Sequence, residues 1–201
     1  MFANDMLRNI SRLLMLRKIY LRFQYYCYKI KYLDKVKFLG YTVVFTQHNS
    51  TIRFGNNVLI NSGFESNLAG INHPCIIYAS YGGSIIIGDN VGISGSVISS
   101  IDNIVIGKDC IIGANCNIID NDCHPLYVDD RKPQIQELIN HRPIIIGEGC
   151  FIGMNTIILK GTVLGKNCVV GAGSVVSGKW EDNSIIGGNP AKFLKYNISK
   201  K

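Results

Sequence analysis

From Ile146 onward an aliphatic side chain returns at every sixth position, through Ile152, Ile158, Leu164, Val170 and Val176. Four residues after each of the first five stands a small one: Cys150, Thr156, Thr162, Cys168 and Ser174. Glycine directly follows four of the aliphatic positions, as Gly147, Gly153, Gly165 and Gly171. An amphipathic helix repeats every ~3.6 residues, so this step leaves its apolar face at once. An isolated strand alternates side to side and has no use for a regular glycine. The pattern predicts an all-β solenoid, a parallel β-helix in which each hexapeptide makes one short flat side of a coil. A single coil could not fold; stacked coils share the burial, which contributes roughly 1.5–3 kcal/mol for each Ile, Leu or Val.

The earlier half runs likewise, from Ile87 to Ile93 and from Ile106 through Ile112 to Ile118, with Val91, Val97, Cys110 and Cys116 in the small inward place. Ile93 to Ile106 is thirteen residues, one more than two repeats, so one inserted residue is expected around "SSIDN". Phe54 and Ile60 open a weaker array. Cys110, Cys116, Cys150 and Cys168 therefore read as core, where a thiol behaves as a modest hydrophobe; Cys27 and Cys75 carry no readable context. Ile118 to Ile146 is 28 residues, which breaks the period. About residues 123–143 should loop out, because Pro125, Pro133, Pro143 and a run of charges cannot lie in a sheet wall. A long loop on a rigid scaffold commonly carries function. Its root, "DNDCHPLYVDDRKP" at 120–133, holds His124 among acids.

Composition sharpens this picture in one place. The net charge of +7 sits in the first forty residues, which hold nine Lys and Arg against Asp5 and Asp34. The remainder is neutral, so nucleic acid is not an expected partner. The segment 1–40 reads as one or two basic helices, with Leu7, Ile10, Leu14, Arg17 and Leu21 roughly on one side. Such a helix could touch an anionic membrane surface peripherally. The expected division is 1–40 helical, 41–186 β-helix and 187–201 a tail. "LLML" at 13–16 is bounded by Arg12 and Arg17, too short for an export signal or a span, so a cytoplasmic protein with reduced cysteines is expected.

The stretch "IIIGEGCFIGMNTIILKGTVLGKNCVVGAGSVVSGKWEDNSIIGGNPAKFLK", residues 144–195, with the upstream "DNDCHP", resembles the hexapeptide-repeat acyltransferases with left-handed β-helices. Within that superfamily it is most similar to the sugar and polysaccharide O-acetyltransferases. The resemblance implies a left-handed coil, a homotrimer with active sites between subunits, and acetyl-CoA as co-substrate. It makes His124 the general base, with Asp122 or Asp120 to orient the ring. An alcohol is a poor nucleophile at neutral pH, and a neutral imidazole can take its proton during attack on the thioester. Transfer would then be direct, with the oxyanion held by backbone N–H groups near Gly153. Cys123 is set aside as a nucleophile because neighbours on an extended chain point oppositely.

The resemblance places the pantetheine arm of the coenzyme against Gly153, Gly171, Ala172 and Gly173, and the phosphates against Lys179, Lys192 or Lys195. Glycine at such corners also serves the coil itself. This chain departs from the family at Gly178, commonly lysine, and at Glu181, commonly proline. It also offers Ser94 or Ser96 where the maltose- and galactoside-acetylating members carry asparagine. Ser94, Ser96, Tyr127 and Arg131 are the candidate acceptor contacts. His73-Pro74 reads as a turn, and His48 and His141 as ordinary polar positions. Other acceptors (an amino sugar, serine, an antibiotic) and a non-catalytic scaffold remain open. Zinc-dependent hydration on such a coil would need three histidines, two of them close; the nearest pair here, His124 and His141, is seventeen residues apart, so no metal is expected.

Overall fold

The computed structural model describes residues 30–31, 33–47, 49–133 and 135–197. Most of the predicted basic helical segment, with Cys27 and His48, lies outside the described residues.

The chain lays short strands in rotation on three faces. The first stacks Ile30–Lys31, Thr51–Phe54, Ser84–Ile87, Asn103–Ile106, Ile144–Ile146, Val163–Leu164 and Lys179–Trp180. The second stacks Val36–Leu39, Val58–Asn61, Gly92–Ser94, Ile111–Ile112, Phe151–Ile152, Val169–Val170, Ser184–Gly187 and Lys192–Tyr196. The third stacks Val43–Thr46, Ile76–Ala79, Val97–Ser100, Asn117–Ile119, Ile157–Leu159 and Val175–Val176. All these neighbours pair in parallel except the last two of the second face, which are antiparallel. The result is a three-sided parallel β-helix. Val36–Leu39 already pairs with Val58–Asn61, so the coil begins before residue 41 and the last part of the 1–40 segment is not helical.

The six-residue beat becomes vertical columns. Ile87, Ile106, Ile146 and Leu164 stand in register on the first face. Ile93, Ile112, Ile152 and Val170 do so on the second, and Ile98, Ile118, Ile158 and Val176 on the third. All twelve are at most 1% exposed. From Thr51–Phe54 onward the corner between the first and second faces turns on a left-handed residue in six successive coils: Asn57, Asn90, Asp109, Gly149, Asn167 and Asn183, with φ between 55° and 68°. Asn, Asp and Gly are the residues that adopt this region most readily.

The small inward places stack too. Cys110, Cys150 and Cys168 form one buried column, each Sγ donating to a carbonyl (Gly147, Gly165 and Glu181 O at 3.0, 3.1 and 3.1 Å). Thiol hydrogen bonds to Cys110 and Cys168, together with burial, push Cys150 up; burial pushes up Cys75 and Cys116. These are packing thiols. Cys75, without context in the sequence, belongs to a second column with Ser96, Cys116, Thr156 and Ser174.

That second column corrects one assignment. Ser96, not Val97, takes the inward place and is fully buried. Its hydroxyl donates within reach of Ser94 O (2.7 Å) and Gly113 O (2.9 Å) and accepts from Cys116 N (2.9 Å). The thirteen-residue step therefore splits as five from Ile93 to Ile98 and eight from Ile98 to Ile106. The corner at Ser100–Asp102 is two residues longer than the repeat, and the preceding one is a residue short.

Two loops leave the prism. Residues 120–143 depart between the third and first faces and contain a short helix, Val128–Arg131. Residues 62–75, which the periodicity did not flag, depart between the second and third faces. They are pinned by Asn115, whose Oδ1 accepts from Asn72 N (2.7 Å) and whose Nδ2 donates to Gly70 O (3.2 Å).

Candidate active site

The long loop leaves and returns as a small antiparallel ribbon. Asn121 and His141 form a bridge, Asp122 N donates to Asn140 O (3.0 Å), and Arg142 N donates to Asp120 O (2.9 Å). Across this gap Asn103–Ile106 and Ile144–Ile146 pair directly, so the loop interrupts the chain but not the wall. His124 is exposed, three residues beyond the bridge, and makes no hydrogen bond or ion pair with any described residue. Its ring is free to meet a substrate.

Neither proposed carboxylate is engaged with it. Asp120 is fully buried. Its Oδ2 accepts from Ser100 Oγ (2.6 Å) and Asp102 N (3.1 Å), and its Oδ1 from Ile101 N (3.0 Å) and Asn121 Nδ2 (3.0 Å). Asp120 is thus what ties down the enlarged corner at Ser100–Asp102, and its lone pairs are spent. Asp122 pairs with Lys160. The backbone carbonyls of the loop remain as groups that could hold the ring. Cys123 is exposed and sits at φ 61°, with its N donating to Asn121 Oδ1 (2.8 Å). It is not extended, so the alternation argument against it does not apply.

The acceptor candidates separate clearly. Ser96 faces the core and is not available to a ligand. Arg131 folds the loop on itself, its Nε donating to Pro125 O (3.0 Å) and a terminal nitrogen to Leu126 O. Tyr127 is 77% exposed and Ser94 half-buried, and these two keep open surfaces. The signal missed in the sequence was His141. Its Nδ1 donates to Asp102 Oδ2 at 2.8 Å, which makes it, among the described residues, the histidine with a carboxylate partner.

The coenzyme candidates lie along another edge, between the second and third faces. A Cβ on Gly153 would lie 2.5 Å from Ala172 N, so the stacking of coils already requires glycine there. Gly173 is left-handed at φ 71°, which the turn requires. Gly171 is different: a Cβ would meet nothing nearer than 3.6 Å, and its φ is ordinary. The coil does not explain it. Gly171 stacks over Gly187, and Gly187 pairs with Lys192, so Lys192 is brought to this edge. Lys195 lies on the same strand, whereas Lys179 stands on the first face.

The family described as the hexapeptide repeat of succinyl-transferase matches residues 103–119 and 143–177. WbbJ of Escherichia coli strain K12, named for O-acetyl transfer in lipopolysaccharide biosynthesis, is 30% identical over 165 residues, covering 78% of each chain. The chain belongs to the hexapeptide-repeat O-acetyltransferases. Among solved members, the polySia-specific acetyltransferase NeuO superposes with a TM-score of 0.64 at 26% identity, over 83% of this chain and 70% of its own. The hexapeptide-repeat acetyltransferase VCA0836 of Vibrio cholerae O1 biovar eltor, solved with acetyl coenzyme A, gives a TM-score of 0.53 at 28% identity, over 61% of this chain and 66% of its own.

Proposed function

We propose that this protein transfers the acetyl group of acetyl-CoA to a hydroxyl of a sugar in a surface polysaccharide or its precursor. The observation that carries this reading is His124, exposed and without a partner among the described residues, on a loop rooted in a rigid wall. The relatives named for lipopolysaccharide and polysialic acid support the acceptor class, and the acetyl-CoA complex of VCA0836 supports the donor. The same relatives support a left-handed sense for the coil. In this mechanism His124 takes the hydroxyl proton as the oxygen attacks the thioester carbonyl. Backbone N–H groups of the corner near Gly153 stabilise the oxyanion. The coenzyme thiolate leaves and receives the proton from the imidazolium, and no acyl-enzyme forms.

The histidine loop and the Gly171–Gly173 corner lie on two different edges of the prism. One edge of each of two copies, set side by side, would complete a site, which supports the homotrimer with sites between subunits. Tyr127 and Ser94 are the acceptor contacts this arrangement favours, with Lys192 and Lys195 toward the coenzyme phosphates. A cytoplasmic location, with the basic N-terminal segment against anionic lipid, would bring the enzyme to membrane-linked sugar precursors.

The test is a panel of acceptors incubated with acetyl-CoA while free coenzyme thiol is followed. Glycans with free hydroxyls should release thiol and gain an acetyl group removable by mild alkali. Acetylation of an amine, giving an alkali-stable amide, or release with serine or an antibiotic alone, would overturn the reading.

The glycine contrast gives a second prediction. Gly171→Ala should fold with an unchanged melting temperature yet raise KM for acetyl-CoA roughly 10-fold, because a methyl group would stand where the pantetheine passes. Gly153→Ala should instead lose about 1–3 kcal/mol of stability by forcing adjacent coils apart. An unaltered KM in Gly171→Ala would remove the coenzyme from this edge.

A further inference from the structure

The loop that bears His124 is tied to the solenoid by two side-chain pairs that cross. The outgoing root carries Asp122, which pairs with Lys160 of the coil that follows. The returning root carries His141, which donates to Asp102 of the coil that precedes, at 2.8 Å. Between them the roots hold each other through the Asn121–His141 bridge and the Asp122–Asn140 and Arg142–Asp120 backbone bonds. The corner that offers Asp102 is the enlarged one, and its backbone is fixed by Asp120 through Ile101 N and Asp102 N.

We propose that His141–Asp102 and Lys160–Asp122 form a crossed clasp that positions the His124 imidazole, making Lys160, Asp102 and His141 positioning residues for transfer. This rests on the reading of His124 as the base.

The physical argument is one of register. An antiparallel ribbon only three residues long on each side has little to stop it twisting or slipping, and a slip by one residue turns every side chain to the other face. Neither pair is deep enough to hold the fold together: His141 is 50% and Lys160 30% exposed, against 27% and 23% for Asp102 and Asp122. Exposed pairs of this kind contribute little to global stability. Their geometry supplies direction. Each root is drawn toward the opposite neighbouring coil, so rotation of the ribbon in either sense stretches one pair. His124 lies two residues past Asp122 and inherits that orientation. A displacement of about 1 Å at a reacting group can cost on the order of 100-fold in rate.

The experiment uses the full-length protein with Lys160→Ala, Asp102→Ala, the double variant, Lys160→Arg and His124→Ala. Each single alanine variant should lower kcat roughly 10-fold and the double variant about 100-fold, with KM for acetyl-CoA within about 2-fold, because the coenzyme edge is elsewhere. Lys160→Arg, which keeps the pair, should restore kcat. Amide exchange at Asp122 and Arg142 should quicken about 10-fold in the double variant while the Ile106, Ile146 and Ile152 amides stay protected. Unchanged kcat in the double variant, with His124→Ala inactive, overturns the clasp and leaves the base in place. Full activity in His124→Ala overturns the base reading instead, and the exchange at Asp122 and Arg142 then decides separately whether the pairs fix the ribbon. Should the double variant fold poorly, the single variants and the arginine rescue carry the same decision.

Discussion

Replacing His124 with alanine should lower kcat for acetyl transfer roughly 10²–10⁴-fold, the range a positioned general base contributes. Melting temperature and acetyl-CoA affinity should not change, since His124 is exposed and makes no hydrogen bond or ion pair with any described residue. Steady-state thiol release together with calorimetric titration of acetyl-CoA checks both halves. Cys123→Ser is the companion variant. The thiol neighbours His124 and is exposed, and a direct transfer needs nothing from it. Activity within about 2-fold of the parent in Cys123→Ser, with His124→Ala inactive, is the expected pair of outcomes. A collapse in Cys123→Ser with trapped acetyl on the enzyme would replace the direct mechanism with a covalent one.

Asp120→Ala should be the most damaging single change to stability, at about 2–4 kcal/mol. Its carboxylate accepts from Ser100 Oγ, Ile101 N, Asp102 N and Asn121 Nδ2 in a fully buried setting. Removing it strands the backbone N–H groups of Ile101 and Asp102 at a half-buried corner, and loosens that enlarged corner, which also holds Asp102. Urea unfolding followed by circular dichroism measures the loss. Asp120→Asn should recover only part of it, because an amide presents hydrogens toward donors. A midpoint equal to that of the parent would mean that water satisfies the corner and that the carboxylate is dispensable.

The core was legible because burial in a coil is periodic and a period survives in the sequence. Ile146 to Val176 could be assigned residue by residue, and each of those positions is at most 1% exposed. The breaks were harder. The 28-residue interval marks the long loop, and the 17-residue step from Ile60 to Ile77 is the same kind of signal for residues 62–75, though a weaker array of aliphatic positions surrounds it. The thirteen-residue step from Ile93 to Ile106 points to one inserted residue in a single corner, whereas two corners compensate for each other and bring Ser96 rather than Val97 inward. The roles of Asp120, Asp122 and His141 were not legible at all. Proximity in sequence to His124 made the two aspartates its natural partners, yet Asp120 serves a corner eighteen or more residues earlier and Asp122 a lysine thirty-eight residues later. Hydrogen-bond partners across stacked coils are set by the number of residues per coil, and a loop of variable length hides that number.

The direct pairing of Asn103–Ile106 with Ile144–Ile146 has an evolutionary corollary. The loop that leaves after Ile119 and returns at Ile144 hangs outside a wall already closed without it, so insertions and substitutions beyond its buried Asp120 root leave the interior columns untouched. Selection can rewrite which acceptor the enzyme meets while the spool that supports the chemistry stays as it is.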